Sequence, residues 1–199
     1  MIYNILFKLV MFTLIYTFMC IAFYIKMDKK SVMSSILFVL SNSLAISSIA
    51  TPSWIVTNFV GITRLGLTKI CVTLKDQDPK SESCEPLELS SHWATALVFI
   101  VIGICLIFLT VLLTLLSIWR SSIEKMVRIM SFFSMCFFCM AAIIFPFGFD
   151  AKEIGGVAYK LPASTDVGYS YFLFITSIFF LTAGNILCNF DVIRSNFHR

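Results

Sequence analysis

Charge is what this chain of 199 residues has least of: Asp, Glu, Lys and Arg together make up 13% of it, roughly half their share in a soluble domain. Histidine is scarcer still, at two residues, His92 and His198. They fall on opposite sides of the predicted membrane, so no histidine cluster can hold a metal or serve as base to a nearby hydroxyl nucleophile. The acidic residues gather in polar loops, interleaved with lysines, as a solvated surface does and an acid–base pair does not. Gly155-Gly156 has no strand-to-helix context for a phosphate loop. No Asn-x-Ser/Thr sequon occurs, so glycosylation cannot mark an outer face. These absences point away from catalysis, cofactors, a small-molecule substrate and nucleic acid.

What is abundant is apolar: 59% of the residues are hydrophobic, 21 of them Phe, and mean hydropathy is +0.93. Crossing a bilayer as helix takes about 20 apolar residues, and runs of that kind cover residues 2–25, 32–50, 94–119, 129–149 and 171–190. The expected class is an all-α membrane bundle in contact with lipid. Residues 27–190 form its four-span domain, residues 51–93 and 150–170 its outer loops, and residues 191–199 a short cytoplasmic tail. Residues 1–26 are a hydrophobic extension, either an additional span or the product of a start upstream of Met27. No Ala-x-Ala-like site follows their apolar run, which argues against a cleaved signal peptide.

Orientation follows from two independent features. Lys26, Lys29, Lys30, Arg120, Lys125, Arg128, Arg194 and Arg199 lie on one side against Asp28, Glu124 and Asp191, and a basic excess of that kind is cytoplasmic. On the other side, Cys71 and Cys84 share one polar loop. A cysteine pair in such a loop predicts a disulfide on the oxidising face of the membrane. Closing that loop is worth ~3 kcal/mol in the chain-entropy model.

Around Cys71, Thr68, Ile70, Val72 and Leu74 alternate as a strand does, and residues 55–61 also read as extended. Thr51-Pro52 ends the preceding helix, because proline pushes the residue before it out of the α region. Trp54, Trp93 and Trp119 suit membrane interfaces. Within residues 32–50, Ser34, Ser41 and Ser48 recur every seven residues, a spacing that lets a neighbouring helix approach and accept hydrogen bonds. Cys20, Cys105, Cys136 and Cys139 read as packing residues inside spans. Cys188, at the cytoplasmic end of the last span, either packs or carries a reversible palmitoyl group.

Trp54, then Gly66-Leu67, then Cys71 and Cys84 resemble in order, and in their Gly-to-Cys spacing, the first outer loop of claudin-like tetraspan proteins. The resemblance implies a four-helix transmembrane bundle with a small extracellular β-sheet. Thr68 stands where claudins carry a tryptophan, and Asn196-Phe197-His198-Arg199 lacks their PDZ-binding ending. A closer resemblance covers Met27 to about Cys188. Met27-Asp28-Lys29, Ala45-Ile46-Ser47-Ser48-Ile49-Ala50, Phe138-Cys139-Met140-Ala141-Ala142 and the run Gly155-Gly156, Tyr159-Lys160-Leu161-Pro162, Val167-Gly168, Ser170-Tyr171 are similar to the attenuator-of-Hedgehog family, also called modulators of Smoothened. This implies a non-enzymatic adaptor at the plasma membrane and primary cilium. It implies action on Smoothened with a large EGF-repeat receptor and a RING ubiquitin ligase. The motif-rich second loop is then the candidate partner surface. A claudin-type junction protein and an auxiliary channel subunit are the alternatives.

Overall fold

The computed structural model describes residues 29–57, 61–74, 83–86, 90–117, 123–150, 159 and 165–197; the extension at residues 1–26 lies outside them. Four helices, α1 (Lys29–Ala50), α2 (Ser91–Ser117), α3 (Glu124–Phe147) and α4 (Tyr169–Phe197), are each long and apolar enough to cross a membrane. Strands β1 (Ile55–Thr57), β2 (Gly61–Leu65), β3 (Lys69–Leu74) and β4 (Ser83–Pro86) lie between α1 and α2, and β5 (Thr165–Val167) immediately precedes α4. They form one antiparallel sheet of order β4-β3-β2-β1-β5. This is a helical membrane bundle carrying a small sheet at one end.

The bundle is built from two close pairs, α1 on α4 and α2 on α3, with sparser packing between α1 and α2 and between α3 and α4. Small residues explain both close pairs. Along α1, Ser34 Oγ donates to the Gly184 carbonyl (3.1 Å) and Ser41 Oγ to the Ser177 carbonyl (2.8 Å), so two of the three heptad serines bond across the seam to α4, while the buried Ser48 hydroxyl has no partner. Gly184 lies against the Phe38 ring, where an added Cβ would sit at 2.7 Å. In the other pair, a Cβ on Gly103 would fall on the Phe138 ring, and Ser134 Oγ donates to the Gly103 carbonyl (2.9 Å). Close backbone approach with hydrogen bonds across it is how helices associate in lipid, where no hydrophobic effect drives them together.

The cysteines divide. Cys105 and Cys139 are exposed on helix faces, against their expected role as packing residues: at full helix length, 3.6 residues per turn carry some small apolar positions onto the lipid side. Cys188 is half-buried against the core.

At its outer end α3 runs through Pro146 to Phe147 and then tightens into a 3₁₀ turn, Gly148–Asp150. Proline is tolerated there because the helix is ending, and the Pro146 carbonyl is used: it accepts from the Gly148 N–H and from the Tyr159 N–H (3.0 Å).

Candidate functional site

The connection between α1 and α2 and the segment leading into α4 meet at one joint, and Trp54 is its centre. Against expectation, Trp54 is no interfacial residue: it is 1% exposed. Its Nε1 donates to the Ser48 carbonyl in the last turn of α1 (2.8 Å), one of the helix-end carbonyls that lack an intrahelical partner. Its ring contacts Phe145 of α3 (centroids 4.8 Å), Phe174 of α4 (5.5 Å) and Tyr171 of α4 (5.7 Å). Its backbone extends the sheet ladder in both directions, donating to the Leu65 carbonyl (2.9 Å) and accepting from the Gly168 N–H (2.9 Å). One residue thus ties three helices to two strands. Edge-to-face ring pairs add about 0.5–1.5 kcal/mol each beyond area burial.

Trp93 is likewise buried. It stacks on Phe145 (5.9 Å) and donates from Nε1 to the Phe145 carbonyl (3.3 Å). Both tryptophans face inward because sheet and 3₁₀ turn cover the bundle's outer end, supplying protein partners where bare helices would meet headgroups. Trp119 is outside the described residues.

Glycine makes the coverage possible at two positions. Gly66 turns β2 into β3, its N–H donating to the Lys69 carbonyl (2.9 Å), and a Cβ there would approach Pro52 Cα to 2.7 Å. Leu67 beside it is fully buried. The Gly-Leu pair therefore does two jobs: glycine lets the turn rest on Pro52, and leucine plugs the core. At Gly168 a Cβ would fall on the Ser53 carbonyl oxygen. That oxygen accepts from the Ser170 N–H (3.0 Å), and Ser170 Oγ lies 2.7 Å from Thr51 Oγ1 and accepts from the Ser53 N–H (3.2 Å).

The second loop thereby becomes part of the sheet. Ile55 pairs with Leu65 on one side and Val167 on the other. Strands of three residues carry no readable alternation, so β5 could not be seen in the sequence; the only signal was the non-repetitive run Val167-Gly168, Ser170-Tyr171. Gly168 and Ser170 are buried, so this end of the loop acts within the protein. Gly168→Ala should cost about 1–3 kcal/mol, as overpacking does, and lower the melting temperature of detergent-solubilised protein. An unchanged melting temperature would mean the joint yields without cost.

At the far side of the sheet, Cys71 and Cys84 stand directly opposite in the β3–β4 register and are joined by a disulfide, Cα atoms 4.2 Å apart. Cys71 is buried, whereas all four residues of β4 are exposed. The bond secures an edge strand that little else covers.

Of the candidate partner loop, Gly155, Gly156, Lys160, Leu161 and Pro162 lie outside the described residues. Tyr159 is exposed, held in a left-handed conformation (φ 63°) by the bond from its N–H to the Pro146 carbonyl and by its ring against Phe147 (4.5 Å). Tyr169 is exposed as well. Among the described residues no group of three or more His, Cys, Asp or Glu side chains could hold a metal.

The geometry is that of a small sheet packed on one end of a membrane bundle, with Tyr159 and Tyr169 exposed. A sequence model of the family described as "Attenuator of Hedgehog" matches residues 51–192, which includes both outer loops and α2 to most of α4. The chain therefore belongs to the Attenuator of Hedgehog family.

Proposed function

We propose that this protein is a non-enzymatic membrane adaptor that attenuates Hedgehog signalling by lowering Smoothened at the cell surface and in the primary cilium. In this reading the sheet with its second-loop strand is the platform for a large EGF-repeat receptor, and a RING ubiquitin ligase acts through that receptor. The family match across both outer loops carries the proposal. It is supported by the exposed Tyr159, against the end of α3, and Tyr169, beside β5, since exposed aromatics are favoured anchors in protein interfaces.

Deleting the gene in Hedgehog-responsive ciliated cells tests this. Surface and ciliary Smoothened should rise, target-gene response should become more sensitive, and re-expression of the full chain should restore both. Normal Smoothened abundance with normal Hedgehog sensitivity would overturn the proposal.

A further inference from the structure

Arg128 stands one turn inside α3, half-buried, at the end of the bundle that the charge asymmetry assigns to the cytoplasm. An arginine keeps its charge throughout the physiological range, and a charge withdrawn from water costs free energy until an opposite charge meets it. Among the described residues none does. Glu124 stands four residues earlier, the spacing of an intrahelical ion pair, yet it is exposed and no ion pair joins it to Arg128.

Three helices meet around this side chain. Cys188 of α4 lies within electrostatic range of Arg128 and beside Ser34 of α1, which places the guanidinium at the cytoplasmic mouth of the sparse α3–α4 seam. Deeper in that seam, Asn185 closes it with the bond from its Nδ2 to the Ser131 carbonyl (3.3 Å). Lys125, exposed and three residues before Arg128, shares its face of α3. Toward the bilayer centre that face carries Phe132, four residues on and exposed as well. The order along α3 is therefore cation, cation, bare apolar ring.

That order is the one a phospholipid presents, with its phosphate at the interface and its acyl chains below. Arg128 is four residues from the start of α3, about 6 Å along the axis at 1.5 Å per residue, so its long side chain reaches headgroup level. A guanidinium holds phosphate oxygens through two parallel N–H bonds. Basic pockets between helices on the cytoplasmic side are where anionic headgroups are taken up. A soluble anion would use the two cations and leave the apolar part of the pattern idle.

We infer that the corner of α1, α3 and α4 at Arg128 binds an anionic phospholipid of the cytoplasmic leaflet, its phosphate held by Arg128 and Lys125 and its acyl chains lying along Phe132. This site goes beyond the adaptor reading and does not rest on it.

The test is native mass spectrometry of the full chain in neutral detergent, with phosphatidylcholine, phosphatidylserine or a phosphatidylinositol phosphate supplied at equal concentration. Both anionic lipids should be retained in preference to phosphatidylcholine. Arg128→Gln should weaken their retention about fivefold, the usual worth of one cation near a charged membrane surface, and leave phosphatidylcholine unchanged. Arg128→Lys should restore most of the preference, Lys125→Gln should reduce it by a smaller factor, and Lys69→Gln, a charge change on the sheet, should not alter it. Equal retention of the three lipids by the unaltered chain would overturn the proposal, as would a preference that survives Arg128→Gln or one that Lys69→Gln removes equally. Displacement of the lipids by an equal concentration of glycerophosphoserine or inositol phosphate would assign the corner to a soluble phosphate, and would also overturn it. Since the readout is lipid retention, its failure leaves the Hedgehog proposal standing, and the gene-deletion result leaves this one standing.

Discussion

Trp54→Ala should destabilise the protein by about 3–5 kcal/mol, the range for removing a buried large aromatic. That is a large part of the roughly 5–15 kcal/mol that holds a typical domain together. The loss concentrates at one place. Phe145, Phe174 and Tyr171 lose a shared neighbour, and the Ser48 carbonyl loses the closer of its two donors, keeping Thr51 Oγ1. The sheet would then sit on the bundle by its backbone bonds and by the buried side chains of Ile55, Leu65 and Leu67. The measurements are surface biotinylation in cells and thermal unfolding in detergent, and both should fall sharply. Trp54→Phe separates the two contributions: it keeps an aromatic ring in the cluster but gives up the bond to Ser48, a net cost of about 1 kcal/mol for the bond itself. A Trp54→Ala protein that reaches the surface normally and melts with the parent would show that Trp54 is no keystone.

Cys71→Ser ranks second, with an expected loss of ~2–5 kcal/mol. The location differs from that of Trp54. The disulfide joins β3 to the exposed edge strand β4, while β1, β2 and β5 are held independently through the Trp54 joint. The variant should therefore fray at β4 and keep the rest of the sheet. Limited trypsin digestion reads this directly, since Lys75 and Lys80 lie between the two cysteines. In the parent protein a cut there leaves the fragments joined until a reductant is added; in the variant they separate at once and form faster. Cys84→Ser should match it, and the double substitution should cost no more than either alone, because each single change already removes the same bond. Additive losses would mean the two cysteines act separately.

Other features link these two changes to the platform's proposed role. Partner binding by an outer surface requires that its strands hold their places before contact, because ordering a surface on binding subtracts from affinity. Trp54 and Gly168 fix the side of the sheet nearest the second loop, and the disulfide fixes the opposite edge. Tyr169, which is exposed, follows the edge strand β5 at the first of these sides, so Trp54→Ala should also reduce co-purification of any partner that uses it, more than Cys71→Ser does.

Much of this was legible in the residues themselves. Helices long enough to cross a membrane appear where runs of apolar residues stood, because hydropathy summed over about 20 residues is a strong local signal. The disulfide of Cys71 with Cys84 was legible because two cysteines in one polar loop have no other use there. Ser34 and Ser41 announced the α1–α4 seam by their spacing of seven, though the spacing alone did not say which helix would accept their bonds. Trp54 and Trp93 were misplaced at the interface, because a tryptophan near the end of an apolar run looks the same whether lipid headgroups or a folded cap lie above it.

The sequence by itself determined which segments are long and apolar enough to cross a membrane and which two cysteines bond, and its charge asymmetry predicts which side each loop occupies. Hydropathy, charge asymmetry and a shared loop are properties of neighbouring residues. Only the tertiary structure decided that β5 completes the sheet beside β1, that Gly168 rests on Ser53, and that Asn42 keeps a buried acceptor without a hydrogen-bond partner. Ile55 and Val167 are more than a hundred residues apart and belong to three-residue strands. Their pairing has no local stabilisation and exists only after α1 and α4 have packed and brought the two chain segments together.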